Sequence, residues 1–228
     1  SENIQYITEK VVKGDIVNTV LATGSVSAYQ KVSVGAQVSG QIDKLYVKLG
    51  QTIKKGDLIA EIDSTTQTND LKTAKSNLEI YKAQLKSKTI AMNIAQTQYN
   101  RQKNLLGLDA GSKEDYENTK NALALAKSEV DVLKSQIEQA NISVSTAETN
   151  VGYTKIVSPL DGVIVSVPVE QGQTVNSNQT TPTIVEIADL SKMIIKPEIS
   201  EGDITKVKAG MPVDFSIIGN PDKIYHTT

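Results

Sequence analysis

The sequence has no cysteine, no tryptophan, one phenylalanine and one histidine in 228 residues. Without cysteine there is no disulfide framework, no iron–sulfur ligation and no thiol nucleophile. With His226 as the single histidine, no His/Cys metal cluster can form. Aromatic residues make up 4% of the chain. A large core anchored on big rings is therefore not expected, whereas long, thin elements with small cores are. Neither sign of charge prevails: 24 basic residues face 26 acidic ones, a net −2, which argues against nucleic acid as a partner. No run of 18 apolar residues occurs, so no segment is expected to span a bilayer. Ser1 opens into polar sequence with neither signal peptide nor initiator methionine, as expected of a processed or shortened chain. Phosphate-cradling glycine loops, G-x-S-x-G and H-E-x-x-H are missing as well. The adjacent carboxylates Glu114 and Asp115 fall at a helix start, where they favour the helix dipole rather than acid–base chemistry. No catalytic residue, metal or cofactor is expected.

Two segments match at a constant offset of 122 residues. Ser39-Gly-Gln-Ile42, Val47 and Gly50-Gln-Thr-Ile53 correspond to Asp161-Gly-Val-Ile164, Val169 and Gly172-Gln-Thr-Val175. Each copy alternates β-branched residues, turns at a glycine able to take positive φ, and enters another strand. The first copy continues into Leu58-Ile-Ala-Glu-Ile62 and the second into Thr183-Ile-Val-Glu-Ile187. The pattern predicts two halves of one small β-sandwich, over residues 32–63 and 152–189, separated by an insertion at 64–151.

The insertion is helical by periodicity. Leu71, Leu78, Leu85, Met92, Tyr99 and Leu106 recur every seven residues, with Ala74, Tyr81, Lys88, Ala95 and Gln102 three positions further on. Tyr116, Leu123, Val130, Ile137, Val144 and Val151 do the same, with Thr119, Ala126, Leu133, Ala140 and Ala147. No proline interrupts either run. A seven-residue period over five heptads predicts a left-handed coiled coil. The short link Gly107–Gly111 predicts an antiparallel hairpin, with Ser112 as N-cap and Asp115 completing a capping-box-like pattern. The two ladders are symmetric about position 111. Residues 69–106 carry a net +5 and residues 112–151 a net −3, so folding one onto the other pairs opposite charges. At 1.5 Å per residue each arm is roughly 55–60 Å long, more than the sandwich can cover. Physics alone thus predicts an elongated, multidomain α+β chain: a coiled-coil hairpin inserted into a β-sandwich, suited to reach and docking rather than catalysis.

Several stretches resemble the membrane fusion, or periplasmic adaptor, proteins of bacterial efflux pumps, and MacA-like adaptors of macrolide-exporting ABC transporters in particular. These are Val20-Leu-Ala-Thr-Gly24, Val34-Gly-Ala-Gln-Val-Ser-Gly-Gln41, Tyr153-Thr-Lys-Ile-Val157 with Pro159, Gln171-Gly-Gln-Thr-Val175, Ile187-Ala-Asp-Leu190 and Val213-Asp-Phe-Ser216. The resemblance implies a lipoyl-like sandwich. Strands at 1–31, around Ile16–Val26, and at 190–228 would contribute to a β-barrel domain left incomplete at Thr228. A membrane-proximal part and an inner-membrane anchor would lie outside this chain. Neither Asp-Lys-Ala nor Met-Lys-Met is present, so a carrier with a modified lysine is not expected.

Channel-docking adaptors carry at the hairpin tip an Arg, a Leu four residues later and a Ser seven beyond, which here are Arg101, Leu105 and Ser112. The resemblance implies docking of this tip on a TolC-like outer-membrane channel, with a MacB-like ABC transporter as the inner-membrane partner and a hexameric ring as the assembly. It also implies a ring of glutamines acting as a gate, with Gln179 as this chain's contribution. The alternatives are an adaptor of an RND or protein-exporting ABC system, and a Gram-positive transporter regulator with no outer-membrane partner.

Overall fold

The structure, a computed structural model, describes residues 7–228. It divides into two compact units: Gln30–Ser191, and the residues up to Tyr29 together with Lys192–Thr228.

In the larger unit, β2 (Gly40–Leu45), β3 (Thr52–Ile53) and β4 (Leu58–Ile62) come from the first repeat copy. Strands β5 (Lys155–Val157), β6 (Gly162–Ser166) and β7 (Thr174–Val175) come from the second, and β1 (Thr23–Gly35) and β8 (Thr183–Glu198) carry residues of both units. The halves exchange strands. β7 of the second copy lies beside β2 in the sheet β5-β4-β2-β7, while β3 of the first lies beside β6 in the sheet β1-β8-β6-β3. The two sheets share one core, in which Ile42, Ile59, Ile164, Ile184, Val185 and Ile187 are under 2% exposed. Withdrawing each such side chain from water stabilises the fold by roughly 2–3 kcal/mol.

The 122-residue offset is also a structural pseudo-symmetry. The Gly50 N–H donates to the Ile164 carbonyl at 2.8 Å, and the equivalent Gly172 N–H donates to Ile42 at 2.8 Å. Both glycines have positive φ, +81° and +88°. The glutamine that follows each one closes its turn: Gln51 Oε1 accepts from the Lys48 N–H, and Gln173 Oε1 from the Glu170 N–H, both at 3.0 Å. The G-Q-T repeat is thus a turn locked by its own side-chain amide. Gly40 and Gly162 serve another need, because a Cβ at either would meet a core Ile side chain at 2.5 and 2.8 Å.

Between β4 and β5 stand α1 (Thr65–Gly107, 43 residues) and α2 (Lys113–Gly152, 40 residues). Every residue of the two heptad ladders is at least half-buried except Lys88, which instead reaches Glu129 at 2.7 Å. A second cross-helix ion pair joins Lys75 to Glu148 at 3.6 Å. The mirror axis differs from the expected one. Tyr99 packs on Tyr116 with ring centroids 5.7 Å apart, Lys88 meets Glu129, and the Ile62 N–H donates to the Thr154 carbonyl. These three pairs share a midpoint near position 108, not 111; only the long side chains of Lys75 and Glu148 reach across a pair centred near 111. The link, Leu108–Ser112, folds back over α1: Ala110 N–H donates to the Leu105 carbonyl, and Gly111 lies against Leu105 and Leu106. Folding back starts α2 level with the last turn of α1 rather than beyond it.

In the smaller unit, β9 (Val213–Ile217) and β10 (Asn220–Thr227) pair antiparallel, with Phe215 stacked on Tyr225 and His226 2.6 Å from Asp214. A 3-10 turn at Ile204–Lys206 follows Asp203, which accepts from Ser200 Oγ and Lys206 Nζ. Both bonds hold the Asp203 carboxyl below the ordinary carboxylate range, Lys206 contributing most. The expected strand around Ile16–Val26 begins only at Thr23, and Ile16, Val17 and Leu21 are exposed. Apolar residues there come in adjacent pairs (Val11-Val12, Ile16-Val17, Val20-Leu21), not in the alternation that would set one face of a strand on a core.

Candidate functional site

Arg101 and Leu105 are one turn apart on the same face of α1, at its far end. Arg101 is exposed, and its guanidinium makes no hydrogen bond or ion pair among the described residues. Leu105 is half-buried beneath Gly111. Ser112 is the N-cap of α2, its Oγ accepting from the N–H groups of Glu114 and Asp115 at 3.1 and 3.3 Å. Glu114 and Asp115 lie in that first turn, as the dipole favours. The fold-back loop therefore brings Leu105 and Ser112 to the same end as Arg101. Sequence reasoning missed Leu108, which is 77% exposed beside them. An unengaged guanidinium, an apolar side chain and a capping hydroxyl can together grip a partner's carboxylate or carbonyls around a small apolar contact.

Gln179 is exposed in the loop Asn176–Pro182. By the 122-residue offset this loop is the counterpart of the Lys54–Asp57 turn, lengthened from four residues to seven. The attachment is conserved by the pseudo-symmetry. Ser39 Oγ accepts from the Ser177 N–H at 2.9 Å, and the equivalent Asp161 Oδ1 accepts from the Lys55 N–H at 2.7 Å. Asn176 Oδ1 accepts from Asn178 N–H, and Ala36 N–H ties the exit to Pro182. The polar run Asn176-Ser-Asn178 thus fastens the loop's entry, and Gln179 stands in the added length.

The hairpin base is braced by side chains bonded to nearby residues of the turn. Asp63 Oδ1 accepts from the Thr65 N–H at 2.9 Å and its Oγ1 at 2.7 Å, and these bonds hold the Asp63 carboxyl below the ordinary range. Formally the N-cap is Ser64, but its side chain makes no capping bond. At the other foot, buried Thr154 donates from Oγ1 to the Val151 carbonyl at 2.6 Å. Asp43, Glu61 and Asp63 line a shallow groove here. Glu61 is engaged by the Tyr46 hydroxyl at 2.8 Å, which raises the Tyr46 pKa. Among the described residues no group of three or more acidic or histidine side chains could hold a metal ion, and no helix is long and apolar enough to cross a membrane.

A sandwich of exchanged repeat halves, interrupted by a long helical hairpin with a free tip, is the scaffold of a membrane fusion protein. The family profile described as "RND MFP, barrel-sandwich hybrid domain" matches residues 30–187, and the chain belongs to this family. Within it the chain is a homologue of the MacA macrolide export proteins. It is 39% identical to that of Yersinia pestis over 96% of this chain and 59% of the relative. The crystal structure of MacA from Actinobacillus actinomycetemcomitans superposes with a TM-score of 0.91 at 57% identity, covering 97% of this chain and 68% of that one. The pyoverdine export membrane fusion protein PvdR of Pseudomonas aeruginosa is 37% identical over 93% of this chain and 54% of its own length. The chain spans a little more than half the length of these curated relatives.

Proposed function

We propose that this chain is the hairpin-bearing part of a non-enzymatic periplasmic adaptor. The adaptor joins a MacB-like inner-membrane ABC transporter to a TolC-like outer-membrane channel as a ring of copies, six by family likeness. Its sandwich, 32–63 with 152–189, acts as a lipoyl-like collar. The hairpin, 64–151, gives reach, and 1–31 with 190–228 supply part of a β-barrel on the transporter side. Anchorage in the inner membrane belongs to a segment outside this chain. Gln179 contributes to a gate ring, where an amide can both donate to and accept from its neighbours.

The observation that carries this reading is the tip: Arg101 has no partner among the described residues, although it stands beside Leu105 and Ser112 at the end of two helices of 43 and 40 residues. Cargo is a macrolide or another substrate of such an exporter. Relatives of nearly equal identity are named for macrolide and for pyoverdine export, so likeness to them does not single out one cargo. The test is co-purification of the full-length adaptor with a TolC-family channel, comparing wild type with Arg101→Asp. Retention that the substitution abolishes, with helicity and melting nearly unchanged, is the expected outcome. A channel never retained, even with the transporter co-expressed, would overturn the tripartite reading in favour of a single-membrane regulator.

A further inference from the structure

The loop that carries Gln179 is tied at both ends to one short segment, residues 35–39. Ala36 is 0% and Val38 8% exposed, so alternate side chains of that segment are sunk in the sandwich core. The loop's exit is held by backbone, the Ala36 N–H donating to the Pro182 carbonyl at 3.0 Å. Gly35 is needed beside it, because a Cβ there would meet the Thr181 methyl at 2.4 Å. The entry is held by a side chain, Ser39 Oγ accepting from the Ser177 N–H at 2.9 Å. A backbone pair is fixed by the fold, whereas a hydroxyl is reset by one rotation about χ1. The entry is the end that can let go.

Ser39 is also where the hairpin reaches this loop. Gln67, in the first turn of α1, donates from Nε2 to the Ser39 carbonyl at 3.4 Å. That is about 0.5 Å longer than the usual N–H···O contact. The other end of the same amide, Gln67 Oε1, is buried and has no partner among the described residues. A buried oxygen left unpaired costs stability, and a side chain of the same reach without polar N or O atoms avoids that cost. Methionine is such a side chain, and its helix propensity equals that of glutamine. Stability alone gives no reason for glutamine at this place. The contact with Ser39 does.

The pseudo-symmetric turn at 54–57 is the internal control. Its anchoring residue is Asp161 in place of Ser39, bonded to the Lys55 N–H at 2.7 Å. Ser158 completes the attachment, its N–H donating to the Asp57 carbonyl at 2.9 Å and its carbonyl accepting from the Gly56 N–H at 2.8 Å. Among the described residues no helix residue bonds to this turn or to Asp161. Of the two equivalent connections, the one joined to the hairpin is the one with Gln179.

We propose that Gln67 is a positioning residue for the Gln179 loop, joining the first turn of α1 through Ser39 to the Ser177 end of that loop. A hairpin gripped at its far end is a lever on this turn. Displacement of the turn towards Ser39 shortens the bond and tightens the loop's entry. Displacement away breaks a bond already at the edge of its range and frees the entry. The exit at Pro182 stays fixed, so the movement is delivered to Asn178, Gln179 and Thr180. The proposal rests on the docking and gate readings of the preceding section and adds which side chain carries movement from one to the other.

Protection of the Ser177 amide against hydrogen exchange, in the full-length adaptor, measures the hold on the entry. Gln67→Met and Gln67→Glu, neither with a donor for the Ser39 carbonyl, are each expected to lower it roughly threefold while Ile42 and Ile164 stay protected. Gln67→Met should leave the melting temperature unchanged or raised, because it removes the unpaired oxygen. A merely structural role would loosen the loop only together with a fall in melting temperature. In a Ser39→Ala background, Gln67→Met is expected to loosen the loop no further. Binding of a TolC-family channel is expected to shift Ser177 protection roughly twofold in the wild type and not in Gln67→Met. Unchanged protection in both Gln67 variants, or a loss that adds to that of Ser39→Ala, overturns the linkage. A bound channel with no shift in the wild type overturns the transmission. The underlying readings fail separately. A channel that is never retained removes the docking. Back-leak of a small dye through the assembled pump that Gln179→Ala leaves unchanged removes the gate. In either case the Gln67 variants still decide the linkage.

Discussion

The sandwich and the hairpin are built from the same aliphatic residues but hold themselves together differently. The sandwich encloses a core in three dimensions, and six of its aliphatic side chains are almost wholly withdrawn from water. The hairpin has a seam one residue wide. Of its 83 helical residues only Leu78, Leu123, Val130, Leu133, Ala140 and Ala147 are buried, and none of these is within a heptad of either end of the tip loop. Stability is therefore concentrated at the base and declines towards the tip, where the residues proposed for docking are. An arm whose seam thins towards its end can adjust to a partner while its seat stays fixed.

Truncation should expose this difference most strongly. Ile42 is 0% exposed between the two sheets, and Ile42→Ala is expected to cost about 3–4 kcal/mol. Leu133, 7% exposed in the seam, has neighbours on one side only, so Leu133→Ala is expected to cost about 2 kcal/mol. Denaturant unfolding followed by far-UV circular dichroism for the helices, and by amide hydrogen exchange for the strands, measures both. Equal costs would mean that the seam is packed as densely as the sandwich, and the contrast would fail.

Ser112→Ala probes the far end. Two N–H groups lose their acceptor, worth about 1 kcal/mol locally. Amide exchange of Glu114 and Asp115 should rise about fivefold while Ile42 and Ile164 stay protected. A rise spread over the whole chain would show that tip and sandwich unfold as one unit.

Much of this contrast was legible beforehand. The heptads identified the seam because burial in a two-helix coil depends only on a 3.5-residue period, and the repeat identified the turn glycines because only φ > 0 or a close approach demands glycine at those places. The hairpin register was not legible: it depends on the loop folding back over Leu105, which no periodicity encodes. The role of Ser39 was within reach, since extending the 122-residue offset pairs Ser39 and Ser177 with Asp161 and Lys55. The start of β1 was not, because the paired apolar residues before Thr23 satisfy neither period.

The smallest effect tests the seat from which the arm leaves. Asp63 accepts two bonds from Thr65 at the start of α1, and the ionised form is the better acceptor, so its folded pKa lies below the unfolded value of about 3.9. A carboxyl depressed in this way contributes stability that is fully present above the unfolded pKa and is lost as pH falls through the lower folded one. The first turn of α1 should therefore hold at neutral pH and fray only below about pH 4. Asp63→Asn keeps an acceptor but has no proton to gain, so the exchange rates of the first α1 amides should no longer depend on that acid limb. A titration of the Asp63 carboxyl carbon by NMR gives the sign directly. A midpoint at or above the ordinary value would mean that Thr65 does not hold the ionised form, and that the seat of the hairpin is fixed by Thr154 and the Ile62 backbone bond alone.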